Sequence, residues 1–130
     1  MIASKPNKAL AGRRILVVED EMLIAIDYCE GLKAAGAEII GPFPAAAEAL
    51  KSVDTAAIDV AVLDYALSDE TSDPLQEALE SRGIPFVVIS GYPRVLVRRD
   101  GQQNVLSKPI SPEALCAAVQ SACASSAPTT

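Results

Sequence analysis

Asp64 closes the apolar run VAVLD, Val60 to Asp64. An ionised carboxylate at the margin of a core is costly to desolvate unless a nearby group compensates it. Other polar groups follow apolar runs in the same way: Glu19, Asp20 and Glu21 after RILVV, Ser90 at the end of PFVVIS, and Lys108 with Pro109 after NVLS. If these run ends lie side by side, Glu19, Asp20, Asp64, the Ser90 hydroxyl and the Lys108 ammonium share one crevice. Clustered carboxylates raise one another's pKa unless a cation intervenes. A hard divalent ion, Mg²⁺ or Mn²⁺, takes oxygen ligands and bridges protein carboxylates to a phosphate. Lys108 adds a mobile point charge for phosphate oxygens, and Ser90 adds a hydroxyl donor. Such a set stabilises an anionic PO₃ group in transit, where catalysis is mostly positioning and charge neutralisation. Ser90 and Asp64 are the candidate acceptors. The chain has no histidine to activate a serine, whereas a carboxylate is already a nucleophile at neutral pH. Asp64 is therefore the expected acceptor, forming an acyl phosphate.

The elements that would position these groups can be read from periodicity. Unalternating apolar runs bounded by turn residues predict strands buried on both faces. They fall at Arg14–Val18, Ala37–Gly41, Val60–Asp64, Pro85–Ser90 and Asn104–Ser107. A helix after Asp20 places Ala25, Tyr28, Cys29 and Leu32 three and four apart and stops at Gly36. Pro44 opens a second helix. Asp73 is read as the cap of a third with Pro74 in its first turn, and Ser111 with Pro112 opens the last. The stretch YPRVLVRRDGQQ after Gly91 is ambiguous, with a short helix drawn from about Pro93 to Arg99. Strand and helix alternate five times, which predicts an α/β, doubly wound domain with a five-stranded parallel sheet and about five helices. Ligands of such sheets sit at the carboxyl ends of the strands. Structural roles compete for the same residues: Asp20 can cap the first helix, Ser90 can serve the turn before Gly91, and Tyr65 carries no chemistry.

Composition bounds the function. A chain of 130 residues with a net charge of −6 suits one domain with its own core. It lacks the clustered Lys and Arg that nucleic acid requires, so no nucleic-acid partner is expected. No segment approaches the length of a membrane span. The three cysteines, Cys29, Cys116 and Cys123, have no metal-site spacing and read as reduced thiols on helix faces in a cytoplasmic protein. Residues 13–124 form the expected domain, with 1–12 and 125–130 as flexible termini.

From about Arg13 to Ala124 the chain resembles the receiver domain of two-component response regulators. The resemblance rests on the acidic pair Glu19 and Asp20, on Asp64, on Ser90, and on Lys108 with Pro109, in order on successive strands. It implies a flavodoxin-like sheet of order 2-1-3-4-5. It also implies phosphorylation on Asp64 by a histidine kinase or phosphotransfer protein, and with little sequence after the last helix a single-domain regulator is expected. Asp20, Asp64 and the Ala66 carbonyl would hold Mg²⁺ directly and Glu19 through water, and the Lys108–Pro109 peptide is often cis in the family. Val105 stands where receivers commonly carry an aromatic switch. Tyr92, two residues after Ser90, instead resembles a subgroup with a hydroxyl-Gly-Tyr motif, often paired with HWE-type kinases. Ser90, Tyr92 and Val105 are thus the expected switch positions. Ala66, Gly91 and Tyr92 occupy the positions that tune acyl-phosphate lifetime, and slow to moderate hydrolysis is expected. Signalling would run through a downstream protein target or onward phosphotransfer, without turnover of an external substrate; a weak dimer stays open. The alternatives are an unphosphorylated receiver-like binding scaffold and a small Asp-nucleophile phosphatase. The phosphatase pattern has a second aspartate where this chain has Ala66.

Overall fold

Side chains along the central strands alternate between two apolar layers, because successive strand residues point to opposite faces. The computed structural model describes residues 9–67, 69–91 and 105–125. Its elements are β1 (Arg14–Val18), α1 (Met22–Ala34), β2 (Glu38–Phe43), α2 (Ala46–Thr55), β3 (Val60–Asp64), α3 (Asp73–Ser81), β4 (Phe86–Ser90), β5 (Val105–Ser107) and α4 (Pro112–Ser125). Ile15, Val17, Val60, Val62, Val87 and Ile89 pack with Tyr28, Cys29 and Leu32 of α1 and Leu115, Val119 and Ala122 of α4. Leu16, Val18, Ala61, Leu63, Phe86 and Val88 pack with Ala46, Ala49 and Val53 of α2 and Leu75 and Leu79 of α3. Four helices thus cover both faces among the described residues. The further helix expected from Pro93 to Arg99 lies outside them, and so does Tyr92.

All strand pairs are parallel, in the order β2-β1-β3-β4-β5. Their register positions the site. Val18 pairs with Leu63, Asp64 with Ile89, and Ser90 with Ser107. Carried one step on, this register sets Glu19 beside Asp64 and Lys108 just past Ser90. Ile15 and Val17 share a layer with Val60 and Val62, so the period of two sends Glu19 and Asp64 to the same face.

Three departures from the sequence expectation bear on the fold. Strand β2 does not stop at Gly41 but runs through a cis Gly41–Pro42 peptide to Phe43, with a register irregularity between Leu16 and Val18. An edge strand tolerates the proline, which has no ladder hydrogen bond to give. Helix α3 starts at Asp73, not after it. The Ser72 carbonyl accepts the Gln76 N–H at 2.9 Å, while the Asp73 carboxylate accepts the Tyr65 hydroxyl at 3.2 Å instead of capping. Finally, residues 9–12, expected to belong to a flexible end, pack on the domain. Leu10 is 1% exposed within the α1 and α4 layer. Its N–H donates to the Ala35 carbonyl at 2.9 Å. Gly36, at φ +99°, admits that approach: an added Cβ would lie 2.9 Å from the Ala11 Cα. Among the described residues no helix is long and apolar enough to cross a membrane.

Candidate functional site

The carboxyl edge of the sheet brings the acids together. The Glu19 N–H donates to the Phe43 carbonyl at 2.9 Å, extending the β1–β2 pairing by one residue. Its side chain turns inward and is fully buried. Glu19 Oε2 accepts the Glu21 N–H at 3.0 Å, so Glu19, and not Asp20, supplies the carboxylate at the amino end of α1. The helix N-cap is Glu21, without a side-chain cap bond, which removes the capping role read for Asp20. Asp20 is exposed at the mouth. Carboxylate oxygens of Glu19, Asp20 and Asp64 all lie within 4.8 Å of one another.

Lys108 answers this charge. Ser90 closes β4, and its carbonyl accepts the Lys108 N–H at 2.8 Å. The lysine then enters the crevice, with a cis peptide to Pro109. Lys108 Nζ donates to Asp64 Oδ2 at 3.2 Å and sits 3.5 Å from Glu19 Oε1. Burial works against the ammonium, but the charges of Asp64 and Glu19 outweigh it and hold its pKa raised. The Ser90 side chain is buried beside this edge.

Glu19 is the strained member of the cluster. Its Oε1 is buried and has no hydrogen-bond partner among the described residues, with the Lys108 ammonium 3.5 Å away. Burial first, and the Asp64 charge in addition, push its pKa up to about 7, against the lowering influence of the Glu21 amide and Lys108. The negative field also reaches Tyr28, raised by burial first and then by Glu19, Asp64 and Asp27. A buried carboxylate oxygen that makes no hydrogen bond among the described residues, set among three acids beside one lysine, fits a hard divalent cation with oxygen ligands. The expected pH behaviour has a definite sign. Between about 4.5 and about 7 the folded chain keeps a proton on Glu19 that the unfolded chain has released. Stability of the metal-free protein should therefore fall as pH rises through that window, by on the order of 1–2 kcal/mol after solvent screening. Added Mg²⁺ should flatten the slope, and urea midpoints across the window with and without the ion check both statements.

Of the remaining predicted positions, Tyr92 lies outside the described residues. Ala66 is exposed and bridged to Thr71 in the β3–α3 connection. Gly91 is exposed, and among the described residues nothing lies within 4 Å of an added Cβ. Val105 is half-buried against the α2 and α3 layer. One residue escaped the sequence reading: Asp69, whose carboxylate accepts the Ala46 N–H at 3.0 Å and the Ala47 N–H at 3.3 Å. The bond from Ala46 is the main cause of its lowered pKa. The available signal was that α2 starts after Ala45, which has no side chain able to cap.

Comparison with known proteins agrees with the fold. No protein-family model matches the chain. The transcriptional regulatory protein PdtaR of Mycobacterium tuberculosis is 32% identical over 117 residues, covering 86% of this chain and 57% of the relative. The chain thus spans little more than half the length of the curated relatives it matches. The solution structure of SdrG from Sphingomonas melonis Fr1 is 35% identical, with a TM-score of 0.74 over 86% of this chain and 96% of that one. A CheY-like response regulator receiver domain protein from Methanospirillum hungatei JF-1, at 23% identity, shares the fold with a TM-score of 0.77 over 88% of this chain and 95% of that one. With the same sheet order, and with acids, hydroxyl and lysine gathered at its carboxyl edge, the chain belongs to the response-regulator receiver family.

Proposed function

We propose that this receiver accepts a phosphoryl group on Asp64 from a histidine kinase or a phosphotransfer protein, in a reaction requiring Mg²⁺ or Mn²⁺. The observation that carries the reading is the Lys108 ammonium 3.2 Å from Asp64 Oδ2, beside an acid cluster that fits a divalent cation. An Asp64 oxygen forms the new bond to phosphorus as the bond to the donor nitrogen breaks, and that electron pair leaves with the donor imidazole. Asp20, Asp64 and the Ala66 carbonyl would hold the cation, with Glu19 acting through water. When bound, the ion neutralises charge on the phosphoryl oxygens and the acids. Lys108 supplies positive charge to a phosphoryl oxygen, and Ser90 donates its hydroxyl to another.

The phosphorylated form signals by binding a downstream protein or by passing the group on, in the cytoplasm and without turnover of an external substrate. Tyr92 takes the switch role that Val105 cannot, in concert with Ser90, and an HWE-type kinase is the favoured donor. Small groups at Ala66 and Gly91 neither position nor repel an attacking water strongly, so the acyl phosphate is expected to hydrolyse at a slow to moderate rate; a half-life of seconds would contradict this. Incubation with acetyl phosphate and Mg²⁺ should add the mass of a single phosphoryl group. The gain should vanish with EDTA and in Asp64→Asn. An unmodified wild-type protein would favour a non-phosphorylated binding scaffold and overturn the reading.

A further inference from the structure

The connection from β3 to α3 carries Ala66, and it is tied to the rest of the domain at its tip. The Ser72 N–H donates to the Tyr65 carbonyl at 2.8 Å, the Leu67 N–H donates to the Glu70 carbonyl at 3.0 Å, and Ala66 bridges Thr71. These bonds pair residues 65–67 with residues 70–72 in a small hairpin, anchored beneath by Leu67, which is 8% exposed in the α2 and α3 layer. From its tip Asp69 reaches Ala46 and Ala47, the first residues of α2. The chain just before them holds the other side of the acid cluster, since the Phe43 carbonyl accepts the Glu19 N–H at 2.9 Å. One short segment, residues 43–47, is therefore bonded to Glu19 on one side and to the Asp64 connection on the other. At the far end of the same helices, Arg82 pairs with Asp54 at 2.7 Å, so α2 and α3 are braced at both ends.

We propose that Asp69 is a positioning residue for the acidic site: by bonding α2 it fixes the hairpin bearing Ala66 relative to Glu19 and Asp20, setting the spacing of the oxygens that hold a divalent cation. This rests on the reading that those acids and the Ala66 carbonyl bind such a cation. Groups that orient metal ligands without touching the metal affect affinity because a misplaced ligand must be drawn back on binding. A carboxylate with both oxygens bonded to successive amides is a firmer tie than a neutral cap. An ordinary capping contribution would instead act only on the stability of α2.

Calorimetric Mg²⁺ titrations of the full chain separate the two roles. Asp69→Ala is expected to weaken Mg²⁺ binding about 10-fold, with Asp69→Asn between it and wild type. The decisive variant pairs Asp69→Ala with Ala45→Ser, which supplies a cap to α2 in cis from its own N-cap position. This double variant should recover the urea midpoint lost in Asp69→Ala but not the Mg²⁺ affinity. In metal-free protein, the Leu67 and Ser72 amides should exchange faster in both variants. Asp69→Asn provides the comparison should Asp69→Ala fold poorly. Wild-type affinity in Asp69→Ala or Asp69→Asn, or recovery of affinity together with stability in the double variant, would overturn the proposal alone. Absence of Mg²⁺ binding by the wild type would remove the reading of the site beneath it.

Discussion

Lys108→Ala should slow phosphoryl uptake from acetyl phosphate by about 10²-fold or more, the usual cost of losing one preorganised donor to a developing anion. The substitution also strips the cluster of its internal counter-charge. Lys108 Nζ lies within 3.5 Å of Glu19 Oε1 and 3.2 Å of Asp64 Oδ2. Without it, Glu19, already pushed up to about 7, loses an influence that lowers its pKa. The variant should thus bind a proton at the site more readily and need a higher pH for Mg²⁺ to compete. Lys108→Arg should restore the charge but only part of the rate, because a planar fork does not reproduce a compact ammonium at the end of a flexible stem. Rates of mass gain for the two variants against wild type check both statements. Unchanged uptake in Lys108→Ala would place the lysine outside the reaction.

The second large effect is structural. Leu10→Ala should destabilise the fold by about 2–5 kcal/mol, the range for truncating a leucine whose site cannot collapse. Leu10 is 1% exposed against the α1 and α4 layer, and its backbone bonds to the end of α1. Urea unfolding with the slope held in common measures the cost. A loss under about 0.5 kcal/mol, as at ordinary surface positions, would mean that residues 9–12 do not pack on the domain.

Leu10 also marks where reading from sequence ends. In NKALAGRR a single leucine among small and charged residues shows no period, and its burial depends on Ala35 and Gly36, far along the chain. The strand ends were legible for the opposite reason. An unalternating run that stops at an acid reports both burial and the edge, and Asp64, Ser90 and Lys108 follow such runs directly. The burial of Glu19 over Asp20 follows from the period of two that carries Ile15 and Val17 inward. Asp69 was illegible because its partners, Ala46 and Ala47, contribute only backbone amides. The extent of β2 was hidden by Pro42, which follows the expected strand end at Gly41, whereas the strand continues to Phe43 with a register irregularity between Leu16 and Val18.

The most direct test of phosphoryl transfer at this edge is to locate the group. The wild-type chain, charged with acetyl phosphate and Mg²⁺, is reduced with borohydride, which converts an aspartyl phosphate to homoserine, and then mapped by peptide mass spectrometry. Homoserine at position 64, absent when Mg²⁺ is withheld, is the predicted result. A stable phosphate on Ser90, or no modification in a protein that binds Mg²⁺, would contradict the assignment of Asp64 as acceptor.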